Sequence, residues 1–449
     1  MTGLALASVR HRGAAFLATF VTVLLGTGLI GSFATLVGAA TGPVSGDDRD
    51  NLLIMGAVVG GWGSVIVLFS LASTLGIVVR QREVELGLLR VVGATNRQVA
   101  RLVRAETFAV AALAAAAGCA LAAGGGALLL HLLRAGGVVA ADVRMHSAPL
   151  CWAATAGVLV GTALVAASIA GRRATRGAPR LALAEAETGR RRLPRWRVLV
   201  GLLLLGYGIA MAALTIGVTA HSEDPYDAMA TSGNSGILVG VGLATLSPVL
   251  LRWAAAAVRP LLGRDARLQL ALEDTGRRPQ LFGGVLAPVI VLTAATVSVL
   301  MLVNVDTRSL AVPDEGTEII NLLNYVIVAM LSLFAVVMVL NAWLTTVSAR
   351  RVELARLRLL GATPEQVRGS LLAEAGFVAG VGVLLGLLAS TASWMPFAVA
   401  RHEGVVPDGG LWLPPLLMAG AVAVTLASAG LAARRASVRP MLAMAGAVR

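Results

Sequence analysis

Lysine is missing altogether: all 37 basic residues of the 449-residue chain are arginine. A Walker A loop sets a lysine on the nucleotide phosphates, so this chain carries no orthodox P-loop, and any ATP-driven work needs a second polypeptide. Cysteine is almost missing too. Cys119 and Cys151 both fall in apolar runs, where a cysteine serves as a small buried hydrophobe, and two cysteines define neither a metal site nor a disulfide framework. The five histidines show no His/Glu pairing at helical spacing, which leaves no pattern for a metalloprotease. No catalytic residue and no metal site are expected. Aromatics are only 4% of the chain, so helices should pack through Gly and Ala rather than around large rings.

Apolar residues fill the space. They make up 57% of the chain, with a mean hydropathy of +0.82, in runs that exceed the ~20 residues an α-helix needs to cross a bilayer. The runs fall at about 14–40, 52–79, 107–133, 149–171, 197–220, 235–258, 281–303, 319–349, 375–399 and 412–433. This predicts an all-α polytopic membrane protein with ten transmembrane helices. The first run exceeds the apolar core of a cleaved signal peptide and is read as a retained span.

Charge sets the expected orientation. The even-numbered connections and both termini hold 31 of the 37 arginines against 11 acidic residues, whereas the opposite connections hold five (Arg49, Arg134, Arg144, Arg308, Arg401) against 13 acidic residues. Positive residues collect in cytoplasmic loops, so both termini are expected in the cytoplasm. The net charge of +13 then belongs beside the anionic inner leaflet, and no nucleic acid is needed to explain it.

The chain repeats itself. REVELGLLRVVGATNRQVARLVRAE, Arg82 to Glu106, aligns without gaps to RRVELARLRLLGATPEQVRGSLLAE, Arg350 to Glu374. Each copy lies between the second and third spans of a four-span group. Both groups close alike, with ASIAGRRATRGAPRLAL from Ala167 and GLAARRASVRPMLAM from Gly430, and LALASVRHR at Leu4 echoes LALEDTGRR at Leu270. The expected organisation is 4+2+4: a four-helix unit over 1–185, a linking pair over 186–264 and a second four-helix unit over 265–449. The linking pair could be a spacer or a lateral packing surface.

Within each copy an apolar helix extends into a mixed-charge segment, with Val84, Leu88, Val91 and Val92 on one face and Arg82, Glu83 and Arg90 away from it. Gly93 suits a left-handed helix end, and Thr95 with Gln98 has the T-x-x-Q spacing of a capping box. Copy two repeats this with Gly361, Thr363 and Gln366, and adds Pro364 at the first helical position. Each phrase is therefore a helix stop and restart. A tight hairpin with no partner has the same local pattern, but repeated exposed-type residues such as Glu85 and Glu353 argue for a docking surface.

The pattern R-E-x-E-L-G-L-L-R-x-x-G-A-T resembles the FtsX-like permease domain of MacB-type ABC transporters, over both four-span groups. The resemblance implies that each unit couples to one ATPase subunit, with ATP and Mg on that partner and no cofactor here. The coupling surface would comprise Glu85, Arg90, Gly93, Ala94, Thr95 and Gln98, and in copy two Glu353, Arg358, Gly361, Ala362, Thr363 and Gln366. Copy two departs at Arg351 and Ala355, opposite Glu83 and Gly87, so the two contacts are not equivalent. The large extracytoplasmic domain common in the family has no counterpart in 41–51 or 304–318.

Two functions follow from that resemblance. One is a bacterial inner-membrane permease that uses two ATPases to move a lipid, hydrophobic peptide or natural-product amphiphile outward, its cargo entering from the membrane. The other is a mechanotransmitter that activates a wall hydrolase or sensor kinase, using acidic outer loops such as Asp47, Asp48 and Asp50. Among polar residues inside spans, Asn321 and Asn324 share a face and could contact cargo, or could hydrogen-bond a neighbouring helix.

Overall fold

The computed structural model describes residues 13–61, 83–176, 194–222, 225–260, 266–309, 335–347 and 350–437, with single or paired residues between 64 and 75 and between 325 and 332. All regular structure among them is helical: α1 Gly13–Ala39, α2 Gly46–Leu53, α3 Glu83–Val91, α4 Asn96–Ala135, α5 Ala148–Arg176, α6 Arg195–Gly217, α7 Pro225–Thr245 and α8 Ser247–Val258. The series continues with α9 Ala266–Arg277, α10 Pro279–Ser309, α11 Ala335–Val347, α12 Arg351–Leu359, α13 Pro364–Ala400 and α14 Leu413–Ser437. Seven of these (α1, α4, α5, α6, α10, α13, α14) are long and apolar enough to cross a membrane. The chain is thus an all-α, multi-pass membrane protein. The expected spans at 52–79 and 319–349 lie partly outside the described residues; the described part of the second includes the short apolar helix α11.

The expected span at 235–258 is broken. Its helix begins earlier, at Pro225, and ends at Thr245, and α8 leaves at 76°. Pro248 stands at the start of α8 behind Leu246, which makes no side-chain cap, and a proline there has no N–H with which to continue the α7 ladder. The bend is docked: Ser247 Oγ donates to Gly283 O at 2.8 Å.

α10 forms the centre. Its most apolar stretch is 94% buried, as expected of a helix that is hydrophobic all round. Against it lies α13, where a Cβ on Gly386 would come within 2.6 Å of Thr293 Cβ and 2.9 Å of Ile290 O. Glycine is needed at this crossing because it admits direct backbone approach, the small-residue packing that the composition foretold. On the other side α7 brings Gly240 against Ala294 of α10, and Ser235 Oγ donates to Ala392 O of α13 at 2.5 Å. α7 therefore packs laterally on α10 and α13. In the first group α1 crosses α4 and α5, with Trp152 Nε1 donating to Thr35 Oγ1 at 2.8 Å. Outward-facing Leu199, Leu203, Ile209, Leu113, Leu384 and Leu416 give α6, α4, α13 and α14 the apolar exterior that lipid contact requires.

At the end opposite the repeated phrases, polar residues staple the connections to one another. Ser45 caps α2, and Asp48 accepts from Ser45 Oγ at 2.7 Å and from Ala140 N at 3.1 Å. Asn51 Nδ2 donates to Val138 O at 3.0 Å. The acidic residues Asp47 and Asp48 sit in the first turn of α2, where negative charge complements the helix dipole. Between α10 and α13, Arg401 pairs with Asp306, and Arg308 with Glu403 at 3.2 Å.

Candidate coupling hairpins

Both repeated phrases fold as the sequence spacing requires, and they do so in matching detail. Gly93 has φ +106° and Gly361 φ +95°, the left-handed region that a Cβ penalises. Around Gly93 the N–H of Ala94 donates to Leu89 O at 2.9 Å and that of Gly93 to Arg90 O at 3.1 Å. Around Gly361 the corresponding bonds, Ala362 to Leu357 O and Gly361 to Arg358 O, are both 3.0 Å. This paired 6→1 and 5→2 arrangement is a Schellman end, which satisfies carbonyls that α3 and α12 would otherwise leave open.

The restart is equally regular. Gln98 N donates to Thr95 Oγ1 at 3.3 Å while Thr95 N donates to Gln98 Oε1 at 2.8 Å. Gln366 and Thr363 repeat the exchange at 3.2 and 2.9 Å. These reciprocal bonds are capping boxes, each threonine contributing about 1 kcal/mol to its helix start.

A small core holds each hairpin to its membrane helices. In the first, Leu86 packs with Val99, Val103 and Ala167; in the second the positions equivalent by repeat, Leu354 and Leu371, are likewise buried, with Val367 partly so. The apolar face expected from the sequence points outward where it is described. Leu88 is exposed, Val91 and Val92 are 71% and 87% exposed, and Leu359 and Leu360 are 70% and 85% exposed. Each turn therefore offers an apolar pair to its surroundings, flanked by exposed Gly93, Thr95 and Gln98 or Gly361, Thr363 and Gln366. Ala94, Arg90, Ala362 and Arg358 are half-buried behind it. The Glu85 side chain lies, with Asn321 and Asn324, outside the described residues.

Glu353 is occupied from within. Its carboxylate accepts from Arg278 at the start of α10 and, at 3.3 Å, from Arg350. Arg350 is 4% exposed; it also donates to Glu374 at 2.6 Å and to Asp274 of α9 at 2.8 Å, and lies 5.6 Å above the ring of Phe282. Phe282 in turn meets Trp343 of α11 edge-on at 6.5 Å. Burial pushes the Glu353 carboxyl up, but the bond from Arg278 and the charge of Arg350 outweigh it and hold it below the ordinary carboxylate range. Two guanidiniums and three carboxylates thus tie α9, the start of α10, α12 and α13 together beneath the second hairpin. No local sequence pattern marks this cluster. The available signal was Glu374, a carboxylate retained by the repeat (as Glu106) at the edge of an apolar run; Glu106 is buried too.

Among the described residues the arrangement includes no group of His, Cys, Asp and Glu that could hold a metal ion. It offers two rigid, partly apolar knuckles braced against long helices. A family model for the FtsX-like permease C-terminal domain matches residues 57–179 and again residues 325–440, each match enclosing one hairpin and together covering more than half of the chain. Among curated proteins no match is found. The duplicated match and the membrane-crossing helices agree, and the chain belongs to the FtsX-like permease family, the membrane permease components of ABC-type systems.

Proposed function

We propose that the chain is the permease subunit of a MacB-type exporter without a large extracytoplasmic domain, set in a bacterial inner membrane with both termini cytoplasmic. Two partner ATPase subunits, carrying ATP and Mg, dock on the two hairpins. Their closure pushes on α4 and α13 and moves an amphiphile from between the two four-helix units to the outside. The observation that carries this reading is the pair of matched knuckles, each exposing a valine or leucine pair beside a Schellman end and a capping box. An apolar pair left almost fully in solvent is the kind of patch that a protein partner covers.

Short connections opposite the hairpins, 40–45, 136–147 and 401–412, favour cargo that enters from the lipid rather than from water. The test is co-purification of the tagged chain with ABC-type ATPase subunits from the cell that makes it. Val92→Glu should weaken one contact, Leu360→Glu the other, and the double variant should lose the ATPase and ATP-dependent efflux together. Full retention of the ATPase by the double variant would overturn the docking assignment.

A further inference from the structure

At the hairpin end of the first repeat, α4 and α5 line an open groove of about 640 Å³. One level of its wall is cationic, with Arg101 and Arg104 from α4 and Arg172 from α5; the next is apolar, with Phe108 from α4 and Leu164 and Val165 from α5. Arg104 and Phe108 are four residues apart on one helix, or about 6 Å along its axis. The headgroup layer of one leaflet is about 5–8 Å deep, so a guanidinium at one level and a ring at the other span it. Phe108 and Val165 are 52% and 59% exposed, so the apolar wall opens sideways. Arg104 Nε donates to Ala100 O at 3.3 Å, and the guanidinium has two further nitrogens that can donate.

The repeat supplies an internal comparison. The positions equivalent to Arg101, Arg104 and Phe108 in copy two are Gly369, Leu372 and Gly376. Charge and ring are therefore absent from those positions of the second hairpin, where Arg368 and Phe377 stand one residue away in register, so neither the turn nor its small core requires them at 101, 104 and 108.

We propose that this groove binds one anionic phospholipid, its phosphate held by Arg101, Arg104 and Arg172 and its acyl chains lying on Phe108, Leu164 and Val165. The assignment rests on the hairpin end meeting the membrane surface and is independent of any ATPase, so the two proposals fail separately. A guanidinium fork matches phosphate oxygens in pairs, and lipid is the phosphate source whose tails would occupy the apolar half.

The test is native mass spectrometry of the full-length chain in neutral detergent, titrated with phosphatidylglycerol, phosphatidylcholine or inorganic phosphate. The native chain should retain phosphatidylglycerol at least about tenfold better than phosphatidylcholine, and Arg101→Gln with Arg104→Gln should remove about that factor. Phe108→Ala should weaken retention of the lipid. Arg252→Gln with Arg259→Gln, two exposed arginines on and just after α8, should leave the preference intact. Should the double variant of α4 misfold, Arg104→Gln alone should lower the preference about threefold, half the effect on a logarithmic scale. Equal retention of both lipids, an equal loss in the α8 variant, or full displacement of phosphatidylglycerol by millimolar inorganic phosphate would each overturn the proposal.

Discussion

Truncating Arg350 to alanine removes the one group that bonds three carboxylates at once: Glu374 at 2.6 Å, Asp274 at 2.8 Å and Glu353 at 3.3 Å. Their fates differ. Glu353 keeps Arg278, and Asp274 is 25% exposed and can draw on water, but Glu374 is 1% exposed and Arg350 is its only cation within salt-bridge distance among the described residues. Breaking a buried pair from one side costs about 3–5 kcal/mol, because a charge is left without compensation. Loss of the stacking on Phe282 adds to this, by about 0.5–2 kcal/mol. Arg350→Met combined with Glu374→Leu should recover most of the loss, since an apolar replacement of both partners removes the desolvation as well as the attraction. The assay is equilibrium unfolding in mixed micelles, run as a double-mutant cycle. A cost below about 1 kcal/mol for Arg350→Ala, the range of an exposed pair, would show that the cluster is solvated and would refute its role as a brace.

Other predictions concern the crossing, the caps and pH. Gly386→Val would set a side chain where Thr293 Cβ already stands 2.6 Å from the Cβ position, so α10 and α13 must separate; a destabilisation of about 1–3 kcal/mol is expected in the same unfolding assay. Thr95→Ala and Thr363→Ala should each lose about 1 kcal/mol, seen as faster hydrogen exchange confined to the first turns of α4 and α13. Glu353 has its folded carboxyl held below its ordinary value. Its contribution is therefore present above the unfolded value of about 4.3 and is lost as pH falls through the folded one. Arg278→Gln should flatten that acid limb in a pH series of unfolding midpoints.

Much of the hairpin was legible because its signals are local. Glycine at a left-handed position and threonine three residues before glutamine act through the nearest turn of backbone, and both copies show the bonds that those spacings require. Which face turns inward was not legible. α3 is nine residues long and α12 nine, each with apolar residues on more than one side, and only contacts with α4 and α5 select Leu86 over Leu88 and Val91. The break at Leu246 had a local signal in Pro248, but hydropathy averaged across the bend and reported a continuous span. Lateral packing of α7 has no local signal because its cause is distant: Gly236 and Gly240, one turn apart, meet residues of α10 and α13 about fifty to a hundred and sixty positions later. The ion cluster was hidden for the same reason, since its members come from four helices.

α13 runs unbroken from the second capping box to Ala400, 37 residues or about 55 Å of continuous helix. Its internal proline, Pro396, lies within the last two turns, so between knuckle and far end there is no joint in which motion could dissipate. Such a helix behaves as a pushrod. With Arg350 and Glu374 as collar at one end and Arg401 with Asp306 as coupling at the other, a tilt of about 5° imposed at Thr363 becomes a sideways sweep of about 5 Å at the opposite surface, from the same 1.5 Å rise per residue. If the hairpins take a stroke from ATPase partners as proposed, stiffness along this lever, rather than chemistry at either tip, sets how much of it reaches the far leaflet.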